Sequence, residues 1–167
     1  MSPQPESFLL LPDVLSTDEE CFLLLFARAA LDEKSFSVDG RKRVRRFGYD
    51  YTLVERWLGS IPPALEPPSA IAEYGPFDSL TVAEYRTGDI LSPHVDRAEF
   101  GDAIAVVSLG AASVLTFTRG AQRLEERIPP RSAYVMRGEL RSSWTHATRS
   151  EGDRASLVYR SRVRTER

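Results

Sequence analysis

Residues 104–136 read IAVVSLGAASVLTFTRGAQRLEERIPPRSAYVM. Four short runs stand out in this stretch: Ile104–Leu109, Val114–Thr118, Arg123–Ile128 and Ala133–Met136. They hold much of its β-branched and aromatic content, and Gly110, Gly120 and Pro129-Pro130 separate them. Such runs punctuated by turn residues read as strands. Working outward, Leu80–Arg86 upstream and Ser156–Val163 downstream read the same way, with Gly88 and Gly138 as further breaks. Several short strands at this spacing predict a sandwich or barrel.

Closer to the N-terminus the period changes. Ser16 followed by Glu19 is a capping box, and Phe22, Leu25, Phe26, Ala29 and Ala30 recur at helical spacing. A helix is expected at about residues 17 to 32, bracing a sheet, with Cys21 buried and inert on its apolar face. Pro62, Pro63, Pro67 and Pro68 mark an irregular connection with room for a helical turn.

Bulk composition narrows the class. A chain of 167 residues, 42% of them apolar, suits one domain with one core. The apolar stretch Cys21 to Leu31 is interrupted by Arg28 and is too short to span a bilayer, so no membrane partner is expected. One cysteine allows no internal disulfide and the start lacks a secretory pattern, so the default location is cytoplasmic. The net charge of −2 gives no global basic field, but 20 of the 22 basic residues are arginine, the side chain suited to carboxylates and phosphates.

The chain has two histidines, His94 in His94-Val95-Asp96 and His146 after Trp144-Thr145. Two imidazoles and one carboxylate form the facial triad of non-haem Fe(II) oxygenases, which leaves positions open for a 2-oxo acid and O2. Alone the pattern is weak, since a chance His-x-Asp arises in roughly one such chain in eight. The plain alternative is two hydrogen-bonded or surface histidines. Further on, Arg154, Ser156, Val158 and Arg160 would share one face of a strand. Two arginines turned inward need an anion, which a dicarboxylate such as 2-oxoglutarate supplies, whereas on an edge strand they would simply be solvated. About 20 Å separates them along the strand, so they would hold different parts of a ligand.

Together these features resemble the AlkB-type family of Fe(II)/2-oxoglutarate dioxygenases. The resemblance runs in order through Phe47-Gly48-Tyr49-Asp50-Tyr51, Tyr85-x-x-Gly88, His94-x-Asp96 and Val107-Ser108-Leu109-Gly110. It continues through Pro130-Arg131-Ser132-x-Tyr134-Val135-Met136-x-Gly138, Trp144-Thr145-His146 and Arg154-x-Ser156-x-Val158-x-Arg160. It covers about residues 40 to 164. Phe-Gly-Tyr, Ser-Leu-Gly and Trp-Thr-His favour the branch related to the hydroxylase of a modified wobble uridine in tRNA.

The resemblance implies an α+β, mainly β fold: a double-stranded β-helix (jelly-roll) core with an N-terminal bracing helix. It implies one domain over 1–167, with about 1–40 as helical brace, 41–78 as substrate lid and 79–164 as core. His94, Asp96 and His146 would be the catalytic metal ligands. Arg154 would take the distal carboxylate of 2-oxoglutarate, and Tyr85, Ser156 and Arg160 would line the same pocket. Two departures are visible. Ala83 stands where the family usually has Asn, removing one contact to the cosubstrate. Ala98 stands where the repair enzymes carry a second carboxylate, which argues against repair of methylated adenine or cytosine.

The expected activity is oxidative demethylation or hydroxylation of a base in nucleic acid, RNA or tRNA ahead of DNA, by a monomer. Arg41, Lys42, Arg43, Arg45 and Arg46 put five cations in six residues beside Phe47, Tyr49 and Tyr51, a pairing that single-stranded recognition uses. Arg43, Arg46, Tyr49 and Tyr51 are the candidate substrate residues; a solvated basic loop is the bland reading of the same run. The alternatives are an oxygenase of a protein or small molecule, and a non-catalytic binding module on the same fold.

Overall fold

The computed structural model describes residues 7–32, 35–38, 42–50 and 56–162. Its elements in chain order are β1 (Phe8–Leu11), α1 (Thr17–Ala30), β2 (Phe36–Val38), β3 (Lys42–Asp50), β4 (Arg56–Trp57), a 3-10 turn at Pro63–Leu65 and α2 (Ser69–Ala72). There follow β5 (Ser79–Tyr85), β6 (Ile90–His94), β7 (Phe100–Gly110), β8 (Ser113–Arg119), β9 (Gln122–Ile128) and β10 (Ser132–Met136). The chain continues through α3 (Gly138–Ser142), β11 (Thr145–Ser150) and β12 (Arg154–Arg162).

Two antiparallel sheets face each other. The larger runs β1-β10-β7-β12-β5-β3-β2, with β4 paired to β3; the smaller runs β6-β11-β8-β9. From β5 to β12 the chain winds back and forth between them, which is the path of a jelly roll. The fold is therefore mainly β, as expected, and the six strands read from residues 80–163 all form. Tyr51, Arg41 and the last residues, 163–167, lie outside the described residues.

Alternation along the strands divides the interior in two. Leu80 and Val82 of β5, Val107 and Leu109 of β7, Val135 of β10, and Leu157 and Tyr159 of β12 point to α1 and form one core with Leu23, Ala27 and Leu31. Ile104, Val106, Leu115, Phe117, Ile128, Met136 and Trp144 fill the space between the sheets at one end. The other end stays open and holds the site.

Helix α1 starts where its capping box predicts: Ser16 Oγ accepts from the Glu19 amide at 3.2 Å, and Glu19 Oε2 accepts from the Ser16 amide at 2.7 Å. Its buried face differs from the expected one. Leu23 and Ala27, four residues apart, meet the sheet, with Leu31 following at the same spacing. Phe22, Leu25 and Phe26 are 52%, 67% and 37% exposed, and Cys21 is exposed rather than buried. The physical reason is closeness: the helix lies near enough to the sheet for an alanine with no exposure to be the contact, and the larger residues are left outside.

Other differences concern strands. The first 40 residues supply β1, an edge strand on β10, as well as the helix. The basic run is not a loop: β3 is a nine-residue strand paired with β5. Strand β6 was not read as such; it and β11 carry the two histidines. Among the described residues, no helix is long and apolar enough to cross a membrane.

Candidate active site and metal centre

His94 ends β6 and His146 is the second residue of β11. The two are direct partners in the antiparallel ladder of the smaller sheet, so register alone brings their rings to 4.3 Å between centroids. Pro93 removes a backbone donor just before His94, which is tolerable because β6 is an edge strand. Asp96 lies two residues past β6, where the chain turns back. One ligand atom from each of His94, Asp96 and His146 lies within 4.8 Å of the others. His94 Nε2 is 3.8 Å from Asp96 Oδ1, and His146 Nε2 is 3.9 Å from Asp96 Oδ2.

The polar surroundings prepare these groups. The His94 Nδ1–H donates to the Ser92 carbonyl at 2.8 Å, which leaves the Nε2 lone pair for a metal. Burial, reinforced by the His94, Arg160 and Arg141 charges and opposed by Asp96, pushes His146 down to about 4, so it is a neutral donor near pH 7. Burial works against ionised Asp96. The attraction of Arg160, His146 and His94 outweighs it and holds the carboxyl below its usual range.

A metal fits this arrangement. Asp96 Oδ2 and His146 Nδ1 are buried without a hydrogen-bond partner, and an orphaned carboxylate oxygen beside two imidazoles is costly unless a cation joins it. Two neutral nitrogens and one carboxylate oxygen suit Fe(II).

Around this centre lies a cavity of about 360 Å³, lined on its walls by Thr81, Ala83, Tyr85, Leu91, Val158 and Arg160 among others. Arg154, Ser156, Val158 and Arg160 do share the inward face of β12, opposite Tyr85, Ala83, Thr81 and Ser79 of β5. The two arginines then diverge. Arg160 Nη2 donates to Asp96 Oδ1 at 3.1 Å and its Nη1 donates to Thr81 Oγ1 at 3.2 Å, so it is tied to the candidate metal site. Arg154 is buried behind Tyr85, its guanidinium 4.5 Å from the ring centroid. It donates to Ser150 Oγ at 3.1 Å and Ser108 Oγ at 3.4 Å.

No carboxylate pairs with Arg154 among the described residues. Burial lowers its pKa, with Tyr85 and Tyr134 opposing. A buried guanidinium with only neutral partners fits a cosubstrate carboxylate. Ser156 is buried beside it, opposite Ser108 and Ala83, so the place of the missing amide is filled by a methyl group.

The substrate candidates separate by parity. Arg46 lies opposite Thr81 and lines the cavity, where it pairs with Asp50 at 3.8 Å. Arg43 lies opposite Glu84, pairs with it at 3.8 Å, donates to the Leu31 carbonyl and does not line the cavity. Arg45 faces the same way, over Phe47 and near Asp32.

Gly48 then lets the strand change partners. Its φ is +75°, and a Cβ there would sit 1.9 Å from the Asp78 carbonyl oxygen, so glycine is required. Beyond it, β3 pairs with β4 and Tyr49 turns to the cavity, its ring 5.0 Å from Trp57. Trp57 is 53% exposed and was not singled out in the sequence, because a two-residue strand carries no readable period.

Residues 39–167 match the family described as the 2OG-Fe(II) oxygenase superfamily. The alkylated DNA repair protein ALKBH8 homolog of Arabidopsis thaliana is 28% identical over 82% of this chain and 49% of its own length. The tRNA (carboxymethyluridine(34)-5-O)-methyltransferase ALKBH8 of Mus musculus is 29% identical over 85% of this chain and 24% of its own. The chain thus spans about half or less of these two relatives. The solved structure of OsALKBH1 shares the fold, with a TM-score of 0.75 at 14% identity over 96% of this chain and 100% of that one.

Proposed function

The chain belongs to the 2OG-Fe(II) oxygenase superfamily and is an AlkB-type dioxygenase that uses Fe(II) and 2-oxoglutarate, and from that premise we propose that it oxidises a base in nucleic acid, RNA ahead of DNA. In this reading His94, Asp96 and His146 hold the iron. Bound there with 2-oxoglutarate and O2, iron supplies the conversion of a substrate C–H bond to C–OH, with succinate and CO2 released.

The protein's own residues do the rest. Arg154 receives the distal carboxylate and thereby orients the 2-oxo acid. Tyr85, stacked on Arg154, closes that pocket toward the cavity. Arg160 keeps Asp96 ionised and turned to the centre.

The observation that carries the substrate proposal is the cavity rim. Exposed Trp57 packs against Tyr49, and Arg46 sits just inside. A base leaving its stack meets an aromatic surface and a cation, which is how unpaired nucleotides are held. The names of the two relatives, one for tRNA and one for alkylated DNA, support nucleic acid as the class. Ala98 in place of a base-reading carboxylate supports a substrate other than methylated adenine or cytosine.

Trp57 and Trp144 are the two tryptophans, and Trp144 is 1% exposed. Unstructured RNA should therefore quench intrinsic fluorescence through Trp57 alone, and Trp57→Phe should remove the response. Arg46→Glu should weaken binding and flatten its salt dependence, with a smaller effect from Arg43→Glu. Quenching that survives in Trp57→Phe, or succinate release stimulated by peptides but not by RNA, would defeat the proposal.

A further inference from the structure

Arg141 belongs to no motif read in the sequence. It lies in α3, five residues before His146, and is 6% exposed. No carboxylate pairs with it among the described residues. Its guanidinium instead donates to four main-chain carbonyls: Nε to Gly101 at 3.1 Å, Nη1 to Asp96 at 3.1 Å, and Nη2 to Arg97 at 2.6 Å and Phe100 at 2.8 Å. All four acceptors fall within residues 96–101, the turn that begins with the triad aspartate and leads into β7.

Burying a cation without a counter-ion is unfavourable, and four carbonyl dipoles aimed at one fork offset that cost only if the geometry is held. The base of the fork is itself fixed, because Leu140 and Trp144 on either side are packed in the core between the sheets. One short segment therefore supplies a triad histidine at one end and grips the backbone of the triad aspartate at the other. The Asp96 side chain is held separately by Arg160. With the side chain held by Arg160 and the main chain by Arg141, Asp96 is restrained at both ends, its Oδ2 3.9 Å from His146 Nε2.

We propose that Arg141 is a positioning residue of the metal centre, setting the placement of Asp96 against His94 and His146. It rests on reading those three residues as the metal ligands. Lysine keeps the charge but is a point donor with three protons on a cone and cannot serve four carbonyls spread around a planar fork. The role therefore demands arginine rather than a cation.

The test is Mn(II) binding under anaerobic conditions, followed through the signal of free Mn(II), in wild type, Arg141→Lys and Arg141→Gln. Circular dichroism and the metal-free melting temperature establish how much of each variant is folded. Partners that orient ligands are typically worth 10–100-fold in metal affinity, so the folded variants should bind Mn(II) at least about tenfold more weakly. Arg141→Lys should recover more of the melting temperature than Arg141→Gln without recovering affinity.

Variants that melt lower but bind Mn(II) as wild type does would overturn the proposal, since that is what a purely structural arginine gives. Failure of both variants to fold would overturn it as well, by making Arg141 a requirement of the fold. Wild type that fails to bind Mn(II), or binds it equally well as His94→Ala, would instead remove the metal-centre reading on which the proposal stands.

Discussion

Asp96 has the most connected position in the site. One carboxylate oxygen takes the Arg160 guanidinium, the other is buried without a hydrogen-bond partner, and its main-chain carbonyl is held by Arg141. Sequence pattern identified Asp96 because the chain has two histidines and one of them opens a His-x-Asp. Strand alternation likewise placed Arg154 and Arg160 on one face. It could not say what each would touch, because alternation fixes the face of a strand and not the partner across the cavity. Arg160 went to Asp96 and Arg154 went behind Tyr85. Arg154 therefore gives a prediction with two opposed signs. Arg154→Met should weaken 2-oxoglutarate binding by about 2 kcal/mol or more, roughly thirtyfold, measured calorimetrically with Mn(II) present. The same variant, free of cosubstrate, should melt no lower than wild type, because it removes a buried cation that lacks a counter-ion. A melting temperature that falls with unchanged cosubstrate affinity would place Arg154 in the framework instead.

Among the elements hardest to bound from the sequence are the two that carry the histidines. Ile-Leu-Ser-Pro-His at β6 holds a proline, and Thr-His-Ala-Thr-Arg-Ser at β11 has too few apolar residues to announce a strand. Both sit in the smaller sheet, with one side toward the site, where polar side chains are wanted. Four strands of the larger sheet, β5, β7, β10 and β12, were legible because they are buried on both faces. The basic run misled in the opposite way: five cations in six residues suggest one surface, but pairing with β5 sends Arg43 and Arg45 one way and Arg46 the other. At Gly48 the strand trades β5 for β4, with the Gly48 amide donating to the Gly59 carbonyl at 2.7 Å and the Tyr49 amide to the Asp78 carbonyl at 3.1 Å. Gly48→Ala should destabilise the protein by about 2 kcal/mol or more, read from denaturant midpoints, through the positive φ and the clash with Asp78. It should also displace Tyr49 and Trp57 and weaken RNA binding. Stability within about 0.5 kcal/mol of wild type would mean that the partner switch does not depend on glycine.

The whole molecule is a jelly roll with helix α1 on the outer face of the larger sheet and the site at the open end between the sheets. Strand spacing and the helical N-terminal signal predicted a sandwich or barrel braced by a helix, and the family resemblance implied the jelly roll; the depth of the site was not legible, and depth decides its electrostatics. Burial pushes His146 from its ordinary 6.5 down to about 4. A depressed folded-state value means that the unfolded chain binds the proton first, so the stabilisation is complete above pH 6.5 and is lost as pH falls toward 4. Metal-free protein should therefore lose about 2 kcal/mol between pH 7 and pH 5, and His146→Gln should flatten that window. Equal stability of wild type at the two pH values would contradict the burial of a neutral imidazole. The contribution of Asp96 is present above the ordinary carboxylate range and lost only below it, outside this window. The chemistry proposed for the site is open to nucleoside mass spectrometry of tRNA and DNA incubated with Fe(II), 2-oxoglutarate, O2 and either wild type or His146→Ala. With wild type an RNA base should gain an oxygen or lose a methyl group in step with succinate formed, and neither change should occur with the variant. Succinate formed with every RNA and DNA base unaltered, or base oxidation that survives the loss of His146, would contradict it.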